Sequence, residues 1–183
     1  MLRWLVLFIS ILTLVGCISP RVANDKPKSW PLAPLLVEQT RQLNQHLRIV
    51  YQNNVYEVIA ATLLSAEHLK VSLLSPEGMS LLDVIYDGNE ISTHYYMRKA
   101  TSLPPEKLLA DLQFVYWPVP QLQEQLPVGW KLEESIVDGT YTRQLFHNGQ
   151  VTTEARFSTN DIWEAQIELE HKRLGYRLSI RNF

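Results

Sequence analysis

Five histidines, His46, His68, His94, His147 and His171, are the residues best suited to hold a metal or pass a proton at neutral pH. None of their spacings puts two imidazoles one helical turn apart, as a zinc-binding HExxH helix requires. His147 precedes a turn and reads as a solvated turn residue. The acid pairs are no better placed for catalysis. Glu133 and Glu134 are adjacent on a strand-like stretch and face opposite ways, while Glu168 and Glu170 share one exposed face. All four read as solvated surface. Neither a GxSxG nucleophile elbow nor a glycine-rich phosphate loop occurs. No catalytic residue, metal or cofactor is therefore expected. The enzymatic alternative, an acyl or ester hydrolase, would need a Ser or His with an oriented partner.

The remaining reactive side chain is Cys17, the single cysteine. It cannot form an internal disulfide, and it excludes a Cys-cluster zinc site. What precedes it gives it a role. Arg3 is followed by a charge-free apolar run from Leu5 to Val15, too short for the roughly 20 residues of a spanning helix but matched to a signal-peptide core. Leu14-Val15-Gly16-Cys17 resembles the bacterial lipobox. That resemblance implies cleavage before Cys17 and acylation of both its thiol and its new amino group. Two or more acyl chains hold a protein to a bilayer where one holds it only marginally. Ile18 follows where an Asp would imply retention in the inner membrane, so the expected location is the outer membrane, facing the periplasm.

The 183 residues suit one domain plus a short extra segment. Hydrophobic residues are 46% and charged residues 20%, a globular composition, and the net charge of −2 argues against a nucleic-acid partner. The expected division is a signal peptide over 1–16, an acylated cysteine and flexible tether over 17–30, and a folded domain over 31–183. Pro31 and Pro34 bracket an expected helix start, with Leu35, Leu36, Gln39, Leu43 and Leu47 near helical spacing.

Beyond Leu47 the period becomes two. LRIVYQ and VYEVIAATLL flank Asn53-Asn54 as a hairpin, EHLKVSLLS alternates, and Ser75-Pro76-Glu77-Gly78 turns into MSLLDVIY. Asp87-Gly88, Asp138-Gly139 and Asn148-Gly149 are three further hairpin signals. Between them, Leu108, Leu109, Leu112, Val115 and Tyr116 form the stripe of an amphipathic helix with Pro105 at its first position. A shorter helix, PQLQEQL, follows. IWEAQIELE alternates Trp163, Ala165, Ile167 and Leu169 against acidic and amide residues. The expected fold is mainly β with a few helices: one strongly curved antiparallel sheet, an unclosed β-barrel, with helices covering its concave face.

This layout resembles the LolA/LolB lipoprotein-localisation factors. The likeness is carried by LLSPEGMSLLDVIYDG and PPEKLLADLQFVYWPVPQLQEQLP, between Leu69 and about Trp130. It is closer still to a family of proteobacterial envelope lipoproteins encoded beside aryl-polyene pigment genes. The resemblance implies a half-barrel with an apolar cavity under the helix pair. It departs at Glu77, where LolB-type sequences carry an exposed leucine that helps deliver cargo to the membrane, and a glutamate resists entry into lipid. Leu73, Leu112, Phe114, Trp117 and Trp130 are the expected cavity lining. The expected activity is non-enzymatic binding or transfer of an acyl chain, a lipoprotein or a polyene lipid. The alternative is a scaffold or accessory subunit that docks an envelope protein.

Overall fold

The computed structural model describes residues 31–35, 39–98, 100 and 104–183. Cys17 and the stretches expected to be signal peptide (1–16) and tether (17–30) lie outside the described residues, as does Leu36. Five strands come first: β1 (Arg41–Tyr51), β2 (Asn54–Leu64), β3 (Leu69–Leu74), β4 (Ser80–Tyr86) and β5 (Ile91–Tyr95). Two helices follow, α1 (Pro105–Tyr116) and α2 (Val119–Gln125). The second set of strands is β6 (Trp130–Val137), β7 (Thr140–His147), β8 (Gln150–Phe157), β9 (Ile167–His171) and β10 (Tyr176–Asn182).

All ten strands form one antiparallel sheet in the order β5-β4-β3-β2-β1-β10-β9-β8-β7-β6. Each set of five is a meander, joined by short turns except for the longer segment 158–166 between β8 and β9. The meanders meet at a seam between β1 and β10, where Leu47 lies opposite Ile180 and Ile49 opposite Leu178. The outermost strands, β5 and β6, do not pair with each other. The curved sheet therefore stays an open barrel, and α1 and α2 form the connection from one edge to the other.

The turns explain the tight packing of neighbours. Gln52 and Asn53 both have positive φ, 47° and 64°, as do Asp138 and Gly139 at 51° and 76°. That pairing of left-handed residues is the two-residue turn whose twist matches a hairpin. The first turn is thus Gln52-Asn53, one residue earlier than the Asn53-Asn54 pair suggests.

Two elements differ from the sequence reading. The segment from Arg41 to Leu47 is strand, not helix, and Pro31–Leu35 has no regular secondary structure. Trp163 sits in the turn before β9 rather than on it. Its backbone N–H donates to Asp161 Oδ1 at 3.0 Å, and the Glu164 and Ala165 amides donate to Asp161 O. That local turn outcompetes a strand extension.

Period-two alternation places one face of the sheet inward. Gln45, Ala60, Leu73 and Leu82 form one continuous cross-strand row, and Ile180, Ile167 and Phe157 another. These residues are buried. α1 lies on this face, and eight consecutive residues, Leu109 to Tyr116, are buried. A surface helix exposes one side, so burial all round makes α1 a core element. It stops at Trp117 because Pro118 favours an extended residue before it.

Candidate functional site

The concave face and the helix lying in it form the candidate site. Three groups of side chains fix α1 there. The first is Arg143, on β7 and facing inward, with 2% exposure. Its Nη1 donates to the carbonyls of Phe114 at 2.5 Å, Val115 at 3.1 Å and Trp117 at 2.9 Å. Its Nε and Nη2 donate to Glu134 Oε1 on β6 at 3.0 and 2.5 Å. The last carbonyls of a helix have no partner within it and carry its negative end, so a guanidinium there answers both needs. Glu134 faces away from Glu133, as the strand spacing requires, and it is exposed on the edge strand with its carboxylate paired to Arg143.

The second group ties the first half of α1 to β10. Lys107 Nζ donates to Asp111 Oδ1 at 2.5 Å, and Tyr176 Oη donates to Asp111 Oδ2 at 2.5 Å. The Lys107 ammonium lies 5.2 Å from the Tyr176 ring centre, and His171 stacks on that same ring at 5.3 Å between centroids. Burial raises the Asp111 carboxyl above its usual range, opposed by Lys107 and by the Tyr176 hydrogen bond. Burial, followed by the nearby charge of Asp111, raises Tyr176 as well. Burial and then the Lys107 charge lower His171 to about 3. His171 is therefore neutral at pH 7, and its Nδ1 accepts the Leu174 N–H at 3.2 Å.

The third group is a strap. Gln113 donates from Nε2 to Ala33 O at 2.9 Å and accepts the Ala33 N–H on Oε1 at 2.8 Å. Tyr86 Oη donates to the same carbonyl at 3.2 Å, and Trp117 Nε1 donates to Pro34 O at 3.1 Å. Pro31–Leu35 is thus held between α1 and β4. Leu35 lies beside Gly88, whose φ of +98° suits glycine.

Deeper in, Gln45 Nε2 donates to Tyr116 Oη at 2.6 Å and to Asn182 Oδ1 at 2.9 Å. Burial pushes the Tyr116 hydroxyl up to about 12, so it stays protonated. The Tyr116 ring stacks on Trp163, with centroids 4.9 Å apart.

Of the five residues expected to line a cavity, Leu73, Leu112, Phe114 and Trp117 are buried in the core with α1. Trp130 is half-buried on edge strand β6 and stacks on His147 at 4.5 Å. His147 is consequently a partly buried ring partner, not a free turn residue. Sequence reasoning missed Arg143, Lys107, Asp111, Gln113 and Tyr176. Their signal was polar residues at inward positions of otherwise apolar elements. Among the described residues, no group of three or more His, Cys, Asp or Glu converges as a metal site.

The model of a family described as "Protein of unknown function (DUF3261)" matches residues 42–183. This chain is a DUF3261 protein. The match runs from inside β1 to the last residue, so it takes in both helices and the polar groups that hold α1. The strap at Pro31–Leu35 precedes the matched stretch. No curated protein matches this DUF3261 chain.

Proposed function

We propose that this DUF3261 protein is a non-enzymatic outer-membrane lipoprotein, anchored through acylated Cys17 and facing the periplasm, that binds or transfers an acyl chain on its concave face. The ligand is a free or protein-linked acyl group or a polyene lipid. The observation that carries this reading is the make-up of the inner face. Across β2, β3 and β4 it is largely hydrocarbon, with Leu64, Leu69, Val71, Leu73, Leu82 and Val84 all buried and Thr62 a polar residue among them. The cover over it, α1 and the strap, belongs to no strand ladder and can move without breaking the sheet. Burial contributes about 0.8 kcal/mol per CH₂, so a dry surface and a movable cover suffice for acyl binding. The lipobox resemblance and the LolA/LolB-like layout support the same reading, and the polyene ligand rests on the likeness to the lipoproteins encoded with aryl-polyene genes.

The second reading is a scaffold that docks an envelope protein. Burial of α1 on all sides favours it, because a helix that fills the hollow makes a solid core. Native mass spectrometry of protein lacking its own anchor separates the two. A copurifying lipid, displaced by an apolar dye, supports the carrier. Protein that carries no lipid and gives a fluorescent apolar dye no protected site supports the scaffold.

A further inference from the structure

The buried side-chain atoms that lack a hydrogen-bond partner among the described residues have a pattern. Among the described residues, four buried side-chain atoms have no hydrogen-bond partner: Gln45 Oε1, Thr62 Oγ1, Thr153 Oγ1 and Gln121 Oε1. The first three lie on the concave face, and Gln45 and Thr62 lie together on it. Leu43–Thr62 and Gln45–Ala60 are successive cross-strand pairs on that face of β1 and β2. Gln45 and Thr62 are therefore diagonal neighbours, close enough for one small group to bridge. Both are more than nine-tenths buried.

The orientation of the Gln45 amide follows from its neighbours. Asn182 Nδ2 donates to Trp163 O at 2.5 Å, which turns Asn182 Oδ1 toward Gln45. Only the Gln45 NH₂ group can meet that oxygen, so Oε1 points away from Asn182 and Tyr116 as an acceptor. Thr62 supplies a hydroxyl that both donates and accepts. An unpaired acceptor and an unpaired hydroxyl, side by side in an apolar interior, match a partner that gives one hydrogen and takes another. Leaving both unmet is costly, and removing the polar group then relieves that cost.

We propose that Gln45 Oε1 and Thr62 Oγ1 form a seat for one hydroxyl group within the concave face. The hydroxyl comes from a hydroxylated acyl chain when such a ligand is held, and from water otherwise. The ligand half rests on the acyl-chain reading above, and the water half does not. The seat selects among apolar ligands: a chain with a hydroxyl at the matching depth gains a hydrogen bond that a plain chain cannot make.

The test uses the full chain carrying Cys17→Ser, so that no anchor acyl group competes. Binding is measured for stearic acid and for hydroxystearic acids with the hydroxyl near the head, middle or tail. One hydroxylated isomer is expected to bind roughly five- to tenfold more tightly than stearic acid. Thr62→Val should abolish the preference and Thr62→Ser restore it. Equal affinity for all isomers overturns the ligand half. In ligand-free protein, a long-lived water should show NMR contacts to the Thr62 methyl, and Thr62→Val should lower Tm. No such water, with a Tm unchanged or raised in Thr62→Val, overturns the seat itself. If the wild-type chain binds none of the acids, the acyl-chain reading fails, and the water measurements still decide the seat.

Discussion

The two wings of the sheet grip α1 differently. On the β2–β4 side, the helix meets largely hydrocarbon, and its polar ties there reach the strap, which Tyr86 also holds, rather than the inner-face side chains of β2 and β3. On the β7–β10 side it is held by ions and hydrogen bonds, through Arg143 at one end and Lys107, Asp111 and Tyr176 at the other. Hydrophobic contact is non-directional, whereas charge-assisted hydrogen bonds fix orientation. The second wing sets where α1 lies, and the first wing supplies the burial. If the cover moves, the dry side is where it parts, because no buried charge is stranded there.

The strongest way to break this contrast is Arg143→Met. It strands the carbonyls of Phe114, Val115 and Trp117 and leaves Glu134 without its partner, so a loss of about 3–5 kcal/mol is expected in urea unfolding. Leu82→Ala, on the dry wing, should cost about 2–5 kcal/mol by transfer and cavity terms, with α1 still in place by amide exchange. Gln113→Ala leaves the Ala33 N–H unpaired and its carbonyl with Tyr86 alone, with an expected cost of about 1–3 kcal/mol. Its signature is local: faster hydrogen exchange at the Ala33 amide and little change on the β7–β10 side.

The next effect depends on pH. His171 is held down to about 3 from 6.5, with burial the main cause. Below pH 6.5 the unfolded chain takes up a proton there that the folded chain refuses until about pH 3. This contribution to stability is full above pH 6.5 and drains away as pH falls through that window, by at most about 1.4 kcal/mol per pH unit. Asp111, raised by burial, acts in the opposite direction: the folded state keeps that proton longer as pH rises. Urea titrations from neutral to acid pH should therefore show a shallower slope in His171→Asn than in wild type. The smallest effect is expected at Lys131→Ala. Lys131 pairs with Glu133 on the solvent side of β6, and its loss should stay within about 0.5 kcal/mol.

Much of the strand order was legible because turns and alternation are local. The Asp138-Gly139 hairpin, the Asn148-Gly149 hairpin and α1 between its prolines occur as their residues imply. The helix expected through Leu43 and Leu47 failed for a definite reason. Leu35, Gln39, Leu43 and Leu47 recur every four residues, a spacing that fits a helix and is also an even number. Leu43 and Leu47 share the inward face of β1 with Gln45, and pairing with β2 and β10 on both sides decided the matter. The polar ties of α1 were hidden for another reason. Each joins elements far apart in the chain, as Gln113 does with Ala33 and Asp111 with Tyr176. An inward arginine on one strand shows no local periodicity that names its partner.

The seam between β1 and β10 has a consequence for biogenesis. Gln45 meets Asn182 across 137 positions of sequence, and the Phe183 amide donates to Asn44 O. Synthesis delivers the N-terminal meander first, yet the flank of β1 can be covered only by β10, the last of the ten strands to emerge. Until then that strand presents an open edge to every other nascent chain nearby, a template for wrong pairing. A premature stop before Tyr176 would remove β10 and cut the sheet at its seam, leaving the five strands β1 to β5 and the four strands β6 to β9 with no shared ladder.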